Sequence, residues 1–488
     1  MEPRTLQYIA QACAGEQLTG SGSAVVGRVC TDSRQVQVGD LFVALRGERF
    51  DGHLFLADVE TKKAVAAVVD RAALPVPSLN LSVIAVTDTR AALGRLAAQY
   101  RGDFNLPVVA VAGSNGKSTT KELLASVLRQ KFSTLWSEAS FNNDIGVPHT
   151  LLKLERSHQV AVLEVGTNHP GELAPLVAMI RPQFGVITSI GREHLEFFGD
   201  LNGVAEEEGA LAELLPADGR LFLNTTSELS ERIAKRSRAP VVRLGTNPDN
   251  DWSVARIQVD DHGTVFAVNG PRPDFNGEFR LRLLGRHQVW NALLAIAVGA
   301  EMGLSADEAR RGLLECRPLK MRLQLWEANG IRVLDDSYNA NADSMLAALQ
   351  TLRDLPCAGR RIAVLGDMAE LGEQSAAAHT EVGRRAAELG VDQLFAVGEM
   401  ASLTARAARE AGLRDVSEFA EVAEAASAIQ KTVRSGDLVL LKASRVVGLE
   451  RVSEALKGAG VPPTSGTGNS RIKLAGALPS ATAMSILP

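Results

Sequence analysis

The sequence predicts an α/β protein of three domains, and three observations favour that fold class. The chain has 488 residues, enough for about three domains of roughly 150 residues each. Apolar runs typical of buried strands alternate with helix-like segments in two separate stretches, which predicts a parallel sheet in each. Between residues 250 and 285 apolar and polar residues alternate singly, which predicts an antiparallel sheet added to the first parallel one.

The first domain is predicted over residues 1–86 as a small mixed α/β unit. Short apolar runs at 40–45 and 64–69 are typical of strands, with glycine, aspartate and proline residues nearby. From residue 88 to 101 the apolar residues recur at helical spacing, which predicts a helix that leads into the next domain.

The central domain is predicted over residues 87–315. A continuous apolar run at 108–112 indicates a strand that is buried on both faces. Two further strands are predicted at 160–165 and 184–190. An amphipathic helix follows the first of these strands from Ser118. Strand and helix in alternation predict a parallel sheet covered by helices.

The third domain is predicted over residues 316–457 as a Rossmann-like unit. Strands at 362–365, 393–397 and 438–441 alternate with helices, as in a doubly wound sheet. Residues 458–488 are rich in small residues and proline and contain no acid. They are predicted to form a disordered tail.

Composition and charge exclude several classes of function. Hydrophobic residues make up 45% of the chain and charged residues 22%, with a net charge of −5. Because no run of basic residues is present, binding to nucleic acid or to an anionic membrane is not expected. The longest apolar run, 292–300, is half of the ~18 residues that a membrane span needs. Without a secretory signal or a CxxC pair, the chain is predicted to be cytoplasmic and not inserted in a membrane.

The strongest local signal for chemistry is a glycine-rich run between a buried strand and a helix. Its residues are Gly113, Ser114, Asn115, Gly116, Lys117, Ser118 and Thr119. Glycines let backbone N–H groups approach phosphate oxygens, and the start of a helix adds favourable partial charge. Lys117 would reach the β- and γ-phosphates, and the Ser118 hydroxyl would bind Mg²⁺. Val111 stands where the longer pattern has glycine, so the loop is of a shortened kind; an ordinary glycine-rich turn is the alternative.

Glu164 and His194 follow predicted strands of the same sheet. In an open α/β sheet, ligands bind beyond the carboxyl ends of the strands, where the glycine-rich run also lies. A carboxylate and an imidazole beside a triphosphate are suitable Mg²⁺ ligands. Taken alone, Glu164 also suits a helix cap, and His194 a packed position in a loop.

Four other polar groups are candidates for structural or functional roles. Glu206-Glu207-Glu208 is, on composition, most often a solvated helix face. His287 and Asn291 are one helical turn apart. They are either a polar pair at the start of a helix or contacts to an adenine. The cluster 335–339 is either a turn with a helix cap or a loop for a ribose or substrate. The run 442–445 follows a strand, where its cations could meet an anionic ligand.

The motifs, in this order, resemble those of the Mur ligases, the ATP-dependent amide ligases of cell-wall precursor synthesis, over residues 25–457. The motifs of the first two predicted domains are Asp32-Ser33-Arg34, Asp51-Gly52-His53, Phe141-Asn142-Asn143-Asp144-Ile145-Gly146-Val147-Pro148 and Gly191-Arg192-Glu193-His194-Leu195-Glu196. Two more, Asp335-Asp336-Ser337-Tyr338-Asn339-Ala340-Asn341 and Leu365-Gly366-Asp367-Met368-Ala369-Glu370-Leu371-Gly372, resemble the last ligase of the series.

The resemblance implies that the first domain holds a UDP-sugar, the central domain binds ATP, and the third closes over the site. It implies catalytic roles for Lys117, Glu164, His194 and Glu208. It also implies that the metal is ligated by Ser118, Glu164, His194 and Glu208. The implied nucleotide contacts beyond the glycine-rich run are Asn291, Arg322 and Asp336. The implied substrate contacts are Ser33, Arg34, Asn142, Asn143, Asn339 and Arg445.

The chain departs from the family at Glu208, where many members have a lysine modified to a carbamate. A carbamate is an anion that helps to hold a second Mg²⁺. We hypothesise that Glu208 supplies this negative charge without modification. Gln288 and Ala443 also stand where the family usually has asparagine and glycine.

The resemblance implies one reaction. The γ-phosphoryl group of ATP would pass to a carboxylate of UDP-N-acetylmuramoyl-tripeptide, and the amine of D-alanyl-D-alanine would displace phosphate from the acyl phosphate. ATP and Mg²⁺ are the implied cofactors, and a monomer is expected. The alternatives are the ligase that adds the third peptide residue, a ligase that adds glutamate to folate, and a nucleotide-binding regulator that has lost catalysis. The last is prompted by the missing lysine at position 208.

Overall fold

The structure is a computed structural model that describes residues 1–47, 50–74 and 80–458. It confirms the predicted fold class, with three α/β domains. The predicted tail lies outside the described residues, except for Gly458, which ends a helix. Among the described helices, none has both the length and the apolar composition that a membrane span requires.

The N-terminal domain contains a small, mostly parallel sheet. Its elements are β1 (Arg4–Thr5), α1 (Leu6–Ala12), β2 (Glu16–Gln17), β3 (Val25–Val26), β4 (Val29–Cys30), β5 (Leu41–Val43), α2 (Leu56–Thr61), β6 (Ala66–Asp70) and β7 (Ser82–Val86). In the described ranges the larger sheet has the order β2-β7-β6-β5-β4, and β1 pairs with β3 apart from it. The apolar runs predicted as strands at 40–45 and 64–69 contain β5 and β6, because their side chains are buried on both faces.

The central domain is built on one long sheet. Its elements begin with α3 (Thr89–Arg101), β8 (Val108–Ala112), α4 (Lys117–Leu128), β9 (Thr134–Trp136), α5 (Gly146–Leu151), β10 (Val160–Glu164), α6 (Leu173–Ile180), β11 (Phe184–Ile187), α7 (Leu195–Phe198), α8 (Leu201–Glu208) and α9 (Ala210–Leu214). They continue with β12 (Arg220–Asn224), α10 (Ser230–Ala234), β13 (Val241–Gly245), β14 (Trp252–Asp260), β15 (Gly263–Asn269), β16 (Gly277–Leu281), α11 (Gln288–Glu301) and α12 (Ala306–Glu315).

The antiparallel strands are not a separate layer. Over the described residues the strand order is β16-β15-β14-β13-β12-β11-β8-β10-β9, so β14 to β16 extend the parallel sheet at one edge. β14 pairs in parallel with β13 and antiparallel with β15, so the change of direction occurs within one sheet. We predicted an antiparallel sheet set against the parallel one; periodicity shows which strands alternate, but not which edge they join.

The centre of this sheet positions the glycine-rich loop. All five residues of β8 are buried, and β8 lies between β10 and β11 with both pairings parallel. Helix α11, which is buried along most of its length, packs against α4. Because β8 and β10 run in the same direction, the loop after β8 and Glu164 at the end of β10 lie at the same edge of the sheet.

The C-terminal domain contains a second, mostly parallel sheet. Its elements are β17 (Gln324–Ala328), β18 (Ile331–Asp335), α13 (Ala342–Asp354), β19 (Arg361–Gly366), α14 (Ser375–Glu388), β20 (Gln393–Val397), α15 (Ala401–Glu410), β21 (Asp415–Phe419), α16 (Val422–Thr432), β22 (Leu438–Lys442) and α17 (Glu450–Gly458). Across the part of the chain that is described, the order is β17-β18-β22-β19-β20-β21, with only β17 antiparallel.

Short 3₁₀ helices complete the backbone at Ser33–Gln35, Gly52–Phe55, Arg71–Ala73, Pro273–Phe275, Gly372–Gln374 and Arg445–Val447. Several helices begin where an acid or a small polar side chain accepts from the first backbone N–H groups. Asp88 caps α3 in this way, and Ser305 with Glu308 forms a capping box at the start of α12.

Candidate functional site

A cavity of about 1120 Å³ lies where the central and C-terminal domains meet. The sequence-predicted residues that line it are Ser114, Asn115, Gly116, Lys117, Ser118, Thr119, Asn142, Asn143, Glu164, His194, Asn291, Arg322, Asp336, Asn339 and Arg445. The structure therefore brings most of the predicted site together. Gly113 and Glu208 do not line the cavity, and Ser33 and Arg34 are in the N-terminal domain.

The glycine-rich loop connects β8 to α4, and its two glycines have left-handed backbones. Gly113 has φ +111° and Gly116 has φ +88°. A Cβ atom on Gly113 would lie 2.5 Å from Thr188 Oγ1, and one on Gly116 would lie 2.4 Å from Asn291 Oδ1. Glycine is therefore required at both positions by conformation and by space. The first N–H groups of α4 have no acceptor within their own helix, as in loops that bind phosphate.

Lys117 begins α4 and is held over the loop by oxygen atoms. Its Nζ donates to the carbonyl of Gly113 at 2.6 Å and to Glu193 Oε2 at 3.1 Å. Burial by itself lowers the pKa of Lys117, but the carboxylates of Glu193, Glu208 and Glu164 raise it above its ordinary value. The ammonium group is therefore charged at neutral pH and faces several carboxylates.

Glu164 is 1% exposed and has one oxygen paired and one not. Its Oε1 accepts from Ser118 Oγ at 3.1 Å and from Asn142 Nδ2 at 2.9 Å. Its Oε2 has no donor among the described residues. A buried carboxylate oxygen without a partner is costly, and a cation satisfies it. A hydroxyl beside a carboxylate is a donor set that Mg²⁺ accepts, so these residues fit the metal that the resemblance implies.

Of the other predicted metal ligands, His194 lines the same cavity as Glu164, whereas Glu208 does not. Nowhere in residues 1–47, 50–74 and 80–458 do three or more His, Cys, Asp or Glu side chains form a group that could hold a metal ion. Mg²⁺ usually takes only one or two protein carboxylates and completes its shell with water and substrate phosphates. The arrangement at Ser118 and Glu164 is of that incomplete kind.

His194 contacts the C-terminal domain. Its Nδ1 lies 2.5 Å from Glu370 Oε2, and the hydrogen bond from His194 lowers the pKa of Glu370. The backbone N–H of Glu196 donates to the carbonyl of Glu370 at 3.1 Å, so the two segments are joined twice. The imidazole is thus oriented by a residue 176 positions away in the chain.

Glu208 ends α8 and supports the loop from below. Its Oε2 accepts the N–H of Gly113 at 2.6 Å, and the side chain is 1% exposed. Burial raises the pKa of Glu208 to about 8, with Glu193 adding to the rise and Lys117 opposing it. Glu208 is therefore close to the charge on Lys117, but it does not line the cavity.

The interpretation of 206–208 as a solvated helix face is wrong for two of the three glutamates. Glu206 is exposed, whereas Glu207 and Glu208 are buried. The Glu207 carboxylate accepts from the N–H groups of Gly171 and Leu173, each at 2.7 Å, at the start of α6. Burial of Glu207 is possible because backbone N–H groups satisfy both of its oxygens. Glu208 has one oxygen paired, whereas its Oε1 has no partner among the described residues.

The nucleoside side of the cavity is formed at the start of α11. Asn291 Nδ2 donates to Gln288 Oε1 at 2.8 Å, so Gln288 orients the predicted adenine contact. The side chains of Gln288, Asn291 and His287 line the cavity and also lie at the start of the helix. A polar pair at a helix start and contacts to an adenine are therefore compatible roles for His287 and Asn291. Burial, with a smaller effect of Lys442, lowers the pKa of His287 to about 4.

Asp336 and Lys442 form a buried ion pair on the facing domain. Asp336 Oδ2 lies 2.6 Å from Lys442 Nζ, and its Oδ1 accepts the N–H of Leu323 at 3.1 Å. Burial raises the pKa of Asp336, while Lys442 and Arg322 act against that rise. The cluster 335–339 is thus a loop on the cavity as well as a turn, since Ser337 also donates to Asp335 within it.

Two arginines add positive charge to the same cavity. The Arg322 guanidinium lies 4.2 Å from the centre of the Tyr338 ring, and its Nη2 donates to Ser140 Oγ at 3.3 Å. Arg445 Nη1 lies 3.3 Å from Glu450 Oε1. Both are suited to anionic groups of a ligand.

Ser33 and Arg34 are not brought to this cavity. They form a 3₁₀ helix in the N-terminal domain, and Asp32 caps it by accepting the N–H of Arg34 at 3.0 Å. The Arg34 guanidinium is also paired with Asp32, at 2.9 Å. A uridine diphosphate pocket at these residues stays a prediction.

Sequence reasoning missed two residues of the site, Glu193 and Glu370. Both stand inside motifs that were singled out, but no spacing pointed to their contacts. Their partners, Lys117 and His194, are 76 and 176 positions away. A search for acids adjacent to a predicted metal ligand would have found Glu193, which directly precedes His194.

Comparison with known proteins agrees with this architecture. Three family profiles match in order: the Mur ligase family catalytic domain at residues 26–101, the Mur ligase middle domain at 111–299, and the glutamate ligase domain of Mur ligases at 321–445. A solved structure of MurF from Acinetobacter baumannii has a TM-score of 0.85 at 32% identity and covers 94% of this chain and 100% of that chain. MurF ligase from Thermotoga maritima, in complex with ADP, has a TM-score of 0.76 at 27% identity and covers 88% of this chain and 97% of that one.

Curated relatives match along nearly their whole length. The UDP-N-acetylmuramoyl-tripeptide–D-alanyl-D-alanine ligase of Escherichia coli K12 is 38% identical over 435 residues, which are 88% of this chain and 93% of the relative. The enzyme of the same name from Bacillus subtilis 168 is 34% identical over 460 residues, which are 93% of this chain and 99% of the relative. On this similarity, which spans all three domains and the loop at Lys117, the chain belongs to the Mur ligase family.

Proposed function

We propose that this chain is the ATP-dependent ligase that joins D-alanyl-D-alanine to UDP-N-acetylmuramoyl-tripeptide, with release of ADP and phosphate. The names of its relatives support this reaction, since they are ligases for these two substrates at 34% and 38% identity. The observation that carries the proposal is one cavity, between two domains, that holds Lys117 and Glu164 at the ends of neighbouring parallel strands.

The carboxylate of the tripeptide must acquire a leaving group before an amine can displace its oxygen. Phosphoryl transfer from ATP supplies that group and is catalysed mainly by positioning and by neutralising charge. Lys117 and the first N–H groups of α4 are the groups on this chain that would bind the phosphates. Mg²⁺, which Ser118 and Glu164 would hold, neutralises charge on the phosphoryl oxygens when it is bound.

The C-terminal domain would protect the activated carboxylate from water. Its residues Asp336, Asn339 and Arg445 line the same cavity as the glycine-rich loop. An acyl phosphate hydrolyses when water reaches it, so a site covered by a second domain favours attack by the amine. Asp336 is our proposed ribose contact, and Arg322 and Arg445 would lie near the phosphates.

The remaining untested assignments are also proposals. Ser33 and Arg34 would contact the uridine diphosphate, and Asn142, Asn143 and Asn339 the rest of the substrate. Glu208 would add negative charge beneath the loop. We further propose domain boundaries near residues 87 and 316, a monomer, and a cytoplasmic location, where the nucleotide-linked substrate would be made.

One assay tests the proposed reaction. The full chain is incubated with ATP, Mg²⁺, UDP-N-acetylmuramoyl-tripeptide and D-alanyl-D-alanine, and products are analysed by mass. We expect a new amide, with ADP and phosphate formed in equal amounts to it. ATP turnover that does not depend on the UDP-sugar would contradict the proposal.

Two further arms separate the alternatives. UDP-N-acetylmuramoyl-dipeptide with a diamino acid tests addition of the third residue, and an amide there alone would assign that reaction instead. Nucleotide binding without any amide, in every arm, would favour the regulator that has lost catalysis.

A further inference from the structure

The strongest unassigned contact of the site crosses from the central to the C-terminal domain. His194 Nδ1 lies 2.5 Å from Glu370 Oε2, and His194 lines the cavity together with Glu164. The domain profiles and the relatives' names describe neither residue's role. This contact exists only while the C-terminal domain is seated on the central domain, because His194 belongs to the central domain and Glu370 to the C-terminal domain.

Both residues have an unusual backbone. His194 has φ +47° and Glu370 has φ +60°, the left-handed region that side chains with a Cβ atom rarely adopt. Such conformations cost energy and persist where the surrounding structure holds them, often at functional sites. Two of them in direct contact indicate that this contact is selected by the fold and is not a chance approach of surface groups.

The chemistry of the pair determines which nitrogen of the imidazole is available. An ionised carboxylate only accepts hydrogen bonds, so His194 Nδ1 donates to Glu370. Nε2 then keeps its lone pair, which is the form of the ring that binds a cation. A carboxylate behind a metal-binding histidine is a common arrangement, since it fixes the tautomer and the orientation of the ring.

The surrounding interface is built for close approach. A Cβ atom on Gly191 would lie 2.6 Å from Asp343 Oδ2, and one on Gly372 would lie 3.0 Å from Glu196 Cα. Glycine at position 191 leaves room for the Asp343 carboxylate, and glycine at position 372 allows the backbones of the two domains to approach each other near His194.

Arg192 joins the same two domains beside this contact. Its backbone N–H donates to Asp343 Oδ2 at 2.7 Å, and its guanidinium lies 2.6 Å from Glu381 Oε2. Charged hydrogen bonds and a tight backbone fit together place Glu370 reproducibly against the imidazole.

We propose that Glu370 is a positioning residue: seating of the C-terminal domain brings it to His194, which it turns into the tautomer that can bind the metal. The inference rests on the proposed function and on the metal-ligand role that the family resemblance implies for His194. It adds that closure of the third domain completes this site as well as covering it.

The test reads the imidazole directly in the full chain without metal. Histidine is labelled with ¹⁵N, and the His194 ring signals are assigned by their loss in His194→Gln. At pH 8 the wild type is expected to show Nδ1 protonated and Nε2 unprotonated. In Glu370→Ala, Nε2 is expected to move toward the protonated position, and Glu370→Gln, which keeps an acceptor, should restore the wild-type pattern.

Two comparisons separate positioning from a general loss of structure. Glu373→Gln changes an exposed acid in the same segment and should leave the His194 signals unchanged. Arg192→Ala keeps Glu370 but loosens the interface, so a partial shift is expected. An unchanged His194 tautomer in Glu370→Ala would overturn the proposal.

Metal binding gives the second readout, with Mn²⁺ alone as the probe and electron paramagnetic resonance as the method. Loss of such a carboxylate typically weakens metal affinity by about 10- to 100-fold, and we expect at least about tenfold for Glu370→Ala. A changed tautomer with unchanged Mn²⁺ affinity would overturn the link to the metal. Because neither readout uses the substrates, failure of the ligase assay would reject the proposed function and leave this inference standing.

Discussion

The glycine-rich loop and the interdomain seam both contribute residues to one cavity, but they are built in different ways. The loop is residues 113–119, and the left-handed backbones of Gly113 and Gly116 lie in one short connection between one strand and one helix. The seam consists of Arg192, His194, Asp343, Glu370 and Glu381, and its pairs are more than 150 positions apart.

The difference concerns what each region can do when the other is absent. The backbone conformation of the loop is set within the central domain, so we expect it to bind phosphate whether or not the domains are together. The seam exists only in the closed arrangement. We therefore expect changes in the loop to abolish chemistry and changes in the seam to alter how completely the site is assembled.

Replacement of Lys117 tests the loop and has the largest expected effect. Lys117→Met keeps the length of the side chain and removes the ammonium group that would neutralise the transferred phosphoryl group. We expect ligase kcat to fall by about 10³-fold or more, as in other sites that lose a preorganised charge. ADP formation and thermal unfolding are measured together; activity within tenfold of the wild type, in a folded protein, would contradict the role of Lys117.

Acid is expected to destabilise the fold through His287, at the start of α11, and this is the second largest effect. Burial lowers the pKa of His287 to about 4, whereas the unfolded chain takes up this proton near pH 6.5. As pH falls from about 6.5 to 4 the unfolded state binds the proton first, so the free energy of unfolding decreases, by up to about 3 kcal/mol. The contribution is fully present above pH 6.5.

Thermal or urea unfolding between pH 4 and 8 measures this dependence. His287→Gln should flatten the curve in that window. His262→Gln is the matched control, because His262 is exposed and should leave the curve as it is. Identical curves for the wild type and His287→Gln would show that His287 is not the group responsible.

Glu208 contacts the glycine-rich loop through the N–H of Gly113. Replacement of Glu208 has the smallest expected effect on activity. Glu208→Gln keeps an oxygen that can accept from Gly113 N–H but cannot carry the negative charge that Glu208 has above its pKa of about 8. If that charge replaces the family's carbamate, the Mg²⁺ concentration for half-maximal turnover should rise by about tenfold. Glu206→Gln, at an exposed position of the same helix, is the control. An unchanged Mg²⁺ dependence in Glu208→Gln would end the hypothesis.

Much of the fold was predictable because strands buried on both faces have a distinct pattern. The apolar runs at 108–112 and 438–441 are the strands β8 and β22 within one residue at each end. Helix α6 ends at Ile180, since Arg181 has φ +49° and the proline that follows it cannot continue a helix. The antiparallel strands were predicted as strands, but their place at the edge of the parallel sheet was not.

The site was predicted in its chemistry and less well in its contacts. Lys117, Ser118 and Glu164 line one cavity, since adjacent parallel strands end at the same edge. Glu207 and Glu208 were misread because composition favours a solvated face, and backbone N–H groups from distant segments changed that outcome.

By itself, the sequence determined the order of strands and helices, the loop at Lys117 and the residue types available for phosphate and metal. These depend on local periodicity and on the conformations that single residues allow. Only the tertiary structure decided that Glu193 pairs with Lys117, that Glu208 supports Gly113, and that Glu370 reaches His194. Such pairs form where the packing of whole domains brings polar and charged groups together in a low-dielectric interior. The spacing of these residues along the chain does not predict the contacts.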